Sequence, residues 1–173
     1  MNESGKFKDV DGFIAEDERI ALQTCVLATS NVAGDALEIG SLNGLSALLT
    51  LTVLHSKKIL FCIDLNPLDK AAENITRFWQ LERVIPICQN FNNLPVVDGQ
   101  KFSFIFIDHS HTFEDTMAAF DKYWPVLSDG GIFSFHDYEH VDYQGGTDAI
   151  NKILKDNNLT IWLRAGGYVA IRK

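Results

Sequence analysis

Two short stretches hold most of the ionisable chemistry of this sequence. Asp108, His109 and His111 fall in the run FIDHSH, and His136, Asp137 and His140 in FHDYEH. Each follows an apolar segment of strand length, Phe102 to Ile107 and Ile132 to Phe135, so four of the five histidines sit just beyond two strands expected to be neighbours. Loop ends of neighbouring strands converge. These imidazoles and the carboxylates of Asp108 and Asp137 are therefore expected to share one cleft, where imidazole can move protons near neutral pH and carboxylate oxygens can hold a divalent ion. A single histidine at a strand end is more often a hydrogen-bonded structural residue; it is the clustering of four that points to chemistry.

A second constellation lies upstream in ALEIGSLNGLS, residues 36–46. An apolar run ending in Glu38 and Gly40 reads as a buried strand, and the turn through Asn43 and Gly44 feeds an apolar segment of helical length, Leu45 to His55. Glycines at a strand exit let backbone approach a ligand closely, and the N–H groups of the following helix can hold a carboxylate. The bland alternative is a tight turn and nothing more. A dinucleotide fingerprint would require GxGxxG, and here Leu42 crowds the middle position, which disfavours NAD. Asp64, 20 residues beyond Gly44 and at the end of another apolar run, can accept both hydroxyls of a ribose.

The remaining elements must position these groups. Met1 to about Gly12 reads as a mobile or loosely docked leader, and Ile14 to Ala28 as an amphipathic helix with an acidic first turn. Strands are expected at 58–63, 84–88, 102–107 and 132–135, and helices at about 68–80, 113–127 and 147–156. Thr112 followed by Asp115 suggests a capping box, with a stop at Gly130-Gly131. The tail LTIWLRAGGYVAIRK carries two β-rich runs around Gly166-Gly167, a hairpin signature. Alternating strands and helices followed by a hairpin imply a doubly wound α/β domain with a mostly parallel sheet and one antiparallel strand.

The chain has 173 residues, enough for one domain, here 13–173 after the leader. Its net charge of -8 argues against a protein that holds nucleic acid or an anionic membrane. No signal peptide or membrane span is expected, and Cys25, Cys62 and Cys88 lie in apolar runs without CxxC spacing, as reduced core residues of a cytoplasmic protein would. Trp79, Trp124 and Trp162 read as core or interface aromatics, and Tyr138 and Tyr143 as residues of a substrate-facing loop.

ALEIGSLNGLS, the acidic strand end at Asp64, FIDHSH and GGIFSFHDY together resemble the class I S-adenosylmethionine-dependent methyltransferases. Within them the chain is most similar to the small branch that joins catechol-type and metal-dependent sugar O-methyltransferases with cephalosporin-hydroxylase-like proteins, over about residues 14–173. The resemblance implies a Rossmann-like seven-stranded sheet with the last strand inserted between the fifth and sixth. It also implies a cofactor, S-adenosylmethionine, held by Glu38, Gly40, Ser41, Gly44, Ser46, Asp64, Leu65, Asn90, Phe91, Asp108 and His109, with Gln89 beside the adenine. A divalent ion, Mg²⁺ or Mn²⁺, would sit on Asp108, His136 and Asp137, and His111 would take the hydroxyl proton of a small-molecule acceptor of sugar, polyketide or phenolic type. His136 stands where catechol-type members have a second acid, which admits a softer metal or none.

Three readings follow: a small-molecule O-methyltransferase, an NAD-linked oxidoreductase on the same sheet, and a binding or assembly protein that keeps the fold without catalysis. With only 90–99 and 138–146 to wall the pocket, either a bulky, partly exposed substrate or a second subunit is expected, and with it a homodimer.

Overall fold

Alternation of apolar strands with helical segments closes into one seven-stranded sheet. The computed structural model describes residues 7–78 and 81–173. In chain order it contains α1 (Glu16–Ala28), β1 (Asp35–Ile39), α2 (Leu45–Val53), β2 (Leu60–Asp64), α3 (Asp69–Arg77), β3 (Val84–Cys88), β4 (Phe102–Ile107), α4 (Phe113–Tyr123), β5 (Leu127–Phe135), α5 (Gln144–Asp156), β6 (Leu163–Ala165) and β7 (Tyr168–Arg172). The strand order is β3-β2-β1-β4-β5-β7-β6. Only β7 runs against its neighbours, and it lies between β5 and β6 as the resemblance implied.

Both faces of the sheet are covered, which explains why β4 is apolar throughout. Phe104 and Phe106 join Leu22, Cys25, Leu48 and Ile75 in a core beneath α1, α2 and α3. Phe102, Ile105 and Ile107 join Phe120, Phe133 and Ile153 in a second core beneath α4 and α5. The strands reverse direction of growth at β1 and β4, and in open α/β sheets ligands bind beyond the carboxyl ends at such a point.

Several boundaries differ from the sequence reading, each for a local reason. The helix expected to reach residue 127 ends at Tyr123, because Pro125 diverts the chain into a 3₁₀ turn, Trp124–Val126. Gly130 and Gly131 lie inside β5 rather than at a helix stop, with Gly130 at φ +80°. The leader is not wholly loose: a turn over residues 7–10 buries Phe7 and Val10, and the Phe7 ring meets Phe78 edge-on at 4.9 Å. Cys25 and Cys62 are buried, but Cys88 is exposed, because it ends an edge strand. Trp124 stacks on Phe120 and Trp162 is part-exposed, while Trp79 lies outside the described residues. No described helix is long and apolar enough to cross a membrane.

Candidate active site

A cavity of about 670 Å³ opens over the carboxyl ends of β1, β2, β4 and β5, within the usual range of small-molecule sites. Its floor is made where Gly40 crosses Asp108. The Asp108 N–H donates to the Ile39 carbonyl at 2.8 Å, and a Cβ on Gly40 would stand 1.6 Å from the Asp108 carbonyl oxygen. With φ at +97° as well, residue 40 must be glycine. Gly44, at φ +84°, then caps α2 and turns the chain away.

One half of the cavity is lined from β2, β3 and the turn after β4. The Asp64 carboxylate accepts the Leu42 N–H at 2.9 Å and the Asn66 N–H at 2.8 Å. Counting a longer contact from the Asn66 amide at 3.3 Å, one of its four acceptor sites remains open for a hydroxyl group. Asn90 caps the 3₁₀ turn Phe91–Asn93, and the Phe91 ring stacks on His109 at 5.1 Å and 17°. Both ring nitrogens of His109 are buried without a hydrogen-bond partner, and burial pushes its pKa down to about 4, so the ring is neutral. Leu65, Asn66 and Gln89 complete this side.

The other half is an acid and histidine cluster. His111 Nε2 lies 3.3 Å from Asp137 Oδ2 and 3.7 Å from Asp108 Oδ1. Burial, against the pull of Asp137, holds His111 below its ordinary pKa, which keeps it neutral near pH 7. Its ring stacks on Tyr143 at 4.4 Å, and Tyr143 stacks in turn on His140 at 4.7 Å. Burial pushes Asp108 up to about 6, with repulsion from Asp137, Glu18 and Asp64 adding to it and His136 opposing. Three lining residues, Leu42, His111 and Asp137, are non-glycines at positive φ. Such conformations cost of order 1 kcal/mol or more each and gather at functional sites.

His136 is placed differently from the other imidazoles. Its Nε2 meets Glu18 Oε2 at 3.0 Å, while Nδ1 faces Asp137 Oδ1 at 3.4 Å and Asp108 Oδ1 at 3.6 Å. Burial works against its charge, but the neighbouring Asp137, Asp108 and Glu18 prevail and push its pKa up to about 9. The donor atoms of Asp108, His111 and Asp137 converge within 4.8 Å of one another, a grouping that sets His111 beside the two carboxylates with which the sequence reading put His136. Glu18 also accepts the N–H groups of Ala15 and Gly167, both at 2.8 Å, and so ties α1 to β5 and to the β6–β7 turn. Although burial opposes it, these bonds and that from His136 hold its carboxyl below the usual range.

The methyltransferase-domain family model matches residues 37–138, from β1 to just past β5. The chain belongs to this methyltransferase family. Solved structures agree on the fold. The O-methyltransferase NovP superposes with a TM-score of 0.79 at 17% identity, covering 91% of this chain and 79% of that one. An O-methyltransferase from Bacillus cereus in complex with S-adenosylhomocysteine gives 0.75 at 20% identity, covering 99% and 87%. The O-methyltransferase TomG from Streptomyces achromogenes, in complex with S-adenosylmethionine, gives 0.74 at 16% identity, covering 97% and 84%. No curated protein matches in sequence.

Within this methyltransferase, the residues singled out from sequence fall into two groups. Gly40, Asp64, Leu65, Asn90, Phe91, Asp108, His109, His111, His136 and Asp137 line the one cavity. Glu38, Ser41, Gly44 and Ser46 do not; they stand behind its floor. Glu38 is buried, accepts the Ser46 hydroxyl at 2.9 Å, and leaves Oε2 without a hydrogen-bond partner. Burial pushes it up to about 7, against the pull of the nearby Ser41 and Ser46 hydroxyls. Of the two loop tyrosines, Tyr143 reaches the cavity, but Tyr138 turns inward, buried and bonded through its hydroxyl to Asn151 at 2.8 Å. Sequence reasoning missed Phe13 and Glu18. Glu18 was legible only as an acid favouring the helix dipole, although from three residues after Ala15 its carboxylate can reach back to the Ala15 N–H.

Proposed function

We propose that this chain transfers a methyl group from S-adenosylmethionine to a hydroxyl oxygen of a small molecule. The observation that carries the reading is that one cavity joins the Asp64, Phe91 and His109 side to the Asp108, His111 and Asp137 side, inside the family-matched residues. The residues fit the cofactor: Asp64 keeps an open acceptor site for a ribose hydroxyl, the stacked Phe91 and His109 rings offer a flat wall for the adenine, and the turn from Gly40 to Gly44 leads to the methionine end. When bound, it supplies an electrophilic methyl, whose bond to sulfur breaks as the bond to the acceptor oxygen forms.

His111 takes the hydroxyl proton. Its neutral ring is ready to accept one, and the carboxylates of Asp137 and Asp108 beside Nε2 stabilise the imidazolium that results. The Glu18–His136 pair fixes those two carboxylates from behind. Most of the rate enhancement then comes from positioning.

A second reading of the same cluster is favoured by the convergence of its donor atoms. Asp108, Asp137 and His111 would hold a divalent ion, and two carboxylates with one imidazole suit Mn²⁺ or Zn²⁺ better than Mg²⁺. The ion would lower the pKa of the acceptor hydroxyl, leaving His111 as ligand rather than base. The test is formation of S-adenosylhomocysteine from S-adenosylmethionine over a panel of hydroxylated acceptors, with the His111→Ala variant alongside. Transfer should fall by roughly 100-fold or more in the variant while cofactor affinity stays unchanged. Equal rates would remove His111 from the chemistry.

A further inference from the structure

One wall of the cavity is carried by a turn with few ties to the rest of the fold. Asn90 and Phe91 line the cofactor side, and they open the 3₁₀ turn Phe91–Asn93 between β3, an edge strand, and β4. The Asn90 side chain accepts the Asn92 N–H at 2.9 Å, a bond that shapes the turn and anchors it to no other element. Apolar contact holds it from beneath, where the buried Phe91 ring joins the core under α4 and α5 and stacks on His109. Such contact is non-directional. The direction of the ring has to be set by hydrogen bonds.

Those bonds come from α4. Lys122, in its last turn, donates from Nζ to the Phe91 carbonyl at 2.5 Å and to the Asn92 carbonyl at 3.1 Å. Among the described residues, no other hydrogen bond joins 90–94 to another element. An ammonium on a carbonyl makes a charge-assisted bond, stronger than a neutral one. The peptide plane that carries the Phe91 carbonyl starts at the Phe91 Cα, so fixing that plane fixes how the ring leaves the chain. A lysine in a last helical turn also suits the helix dipole, but the dipole does not call for two bonds to one turn.

Two other lysines are bound to main-chain carbonyls, Lys58 to those of Thr29 and Val32, and Lys173 to those of Trp124 and Leu127. Both lie at the opposite edge of the sheet, beside the start of β2 and of β5, and none of those four carbonyls belongs to a residue that lines the cavity. Of the three, Lys122 alone grips a lining residue.

We propose that Lys122 is a positioning residue for the cofactor: acting through the Phe91 and Asn92 carbonyls, it sets the ring wall that meets the adenine. It does not itself line the cavity. The inference rests on the methyl-transfer reading above, in which Phe91 and His109 form that wall.

The test is a double-mutant cycle on the full chain, read by calorimetric titration with S-adenosylhomocysteine. Lys122→Met should weaken binding roughly tenfold, and Lys122→Arg, which keeps a charged donor, should restore most of it. Phe91→Leu should also weaken binding. Because Lys122 acts through Phe91, adding Lys122→Met to Phe91→Leu should cost little more, whereas a merely structural role would make the two losses add. Lys173→Met removes a carbonyl-bound lysine away from the cavity and should lower the melting temperature without changing affinity. If Lys122→Met is not folded at the assay temperature, Lys122→Gln takes its place in the cycle with the same expected direction. Wild-type affinity in the Lys122 variant, additive losses, or an equal loss in Lys173→Met overturns the inference alone. Failure of S-adenosylhomocysteine to bind the wild-type protein overturns the methyl-transfer reading, and the inference with it.

Discussion

Replacing Glu38 with glutamine should stabilise the ligand-free protein, and only above about pH 5. Glu38 is buried under the cavity floor, and burial pushes its pKa from 4.5 up to about 7. A carboxyl raised on folding binds more protons in the folded than in the unfolded chain between those two values. Stability therefore falls as pH rises through that window, and above it the loss is complete. A difference of some 2.5 units corresponds to about 3 kcal/mol, a large share of a typical domain's stability. Glutamine keeps the shape and the acceptor for the Ser46 hydroxyl at 2.9 Å, and its amide N–H can use the buried, unbonded Ser41 Oγ. Urea unfolding of both proteins at pH 5, 6, 7 and 8 gives the answer directly. The gap in stability should open with pH, reaching about 3 kcal/mol at pH 8. A constant offset, or a variant less stable at pH 8, would refute the burial argument for Glu38.

Three further outcomes follow from the same geometry. Glu18→Ala removes the acceptor of three hydrogen bonds and leaves His136 charged and buried, so stability at pH 7 should fall by about 3 kcal/mol or more; a melting temperature within a degree or two of wild type would contradict the role of this tie. Titration with Mn²⁺ should show saturable binding that Asp137→Asn abolishes, if the converging donors hold an ion; binding that survives the substitution would move the ion elsewhere. His111→Ala should retain affinity for S-adenosylhomocysteine, measured by thermal shift, because the ring lies across the cavity from Asp64 and Phe91; loss of binding would mean that His111 shapes the cofactor side.

Strand ends were legible in the sequence because each apolar run stops at a polar residue that must then stand at the same edge of a parallel sheet. Asp64, Asp108 and His136-Asp137 were placed in that way, and the four clustered histidines do share one cavity. What the sequence concealed lies far away along the chain or depends on side-chain direction. Glu18 meets His136 across 118 positions, and an acid in a helix's first turn is equally at home in solvent. Glu18 meets one ring nitrogen of His136, and the donor atoms of Asp108, His111 and Asp137 converge, an arrangement no spacing rule could pick out. Tyr138 and Tyr143 are both aromatic loop residues, yet only the fold decides that one turns inward and the other into the cavity. Glu38 was chosen for its place in the strand exit, and its complete burial behind the floor was not visible from that place.

Calorimetric titration of the protein with S-adenosylhomocysteine tests the central claim most directly. The account predicts saturable binding at one site per chain, weakened by Asp64→Ala. Absence of binding at high micromolar ligand, or a thermal shift produced by NAD and not by S-adenosylhomocysteine, would contradict it.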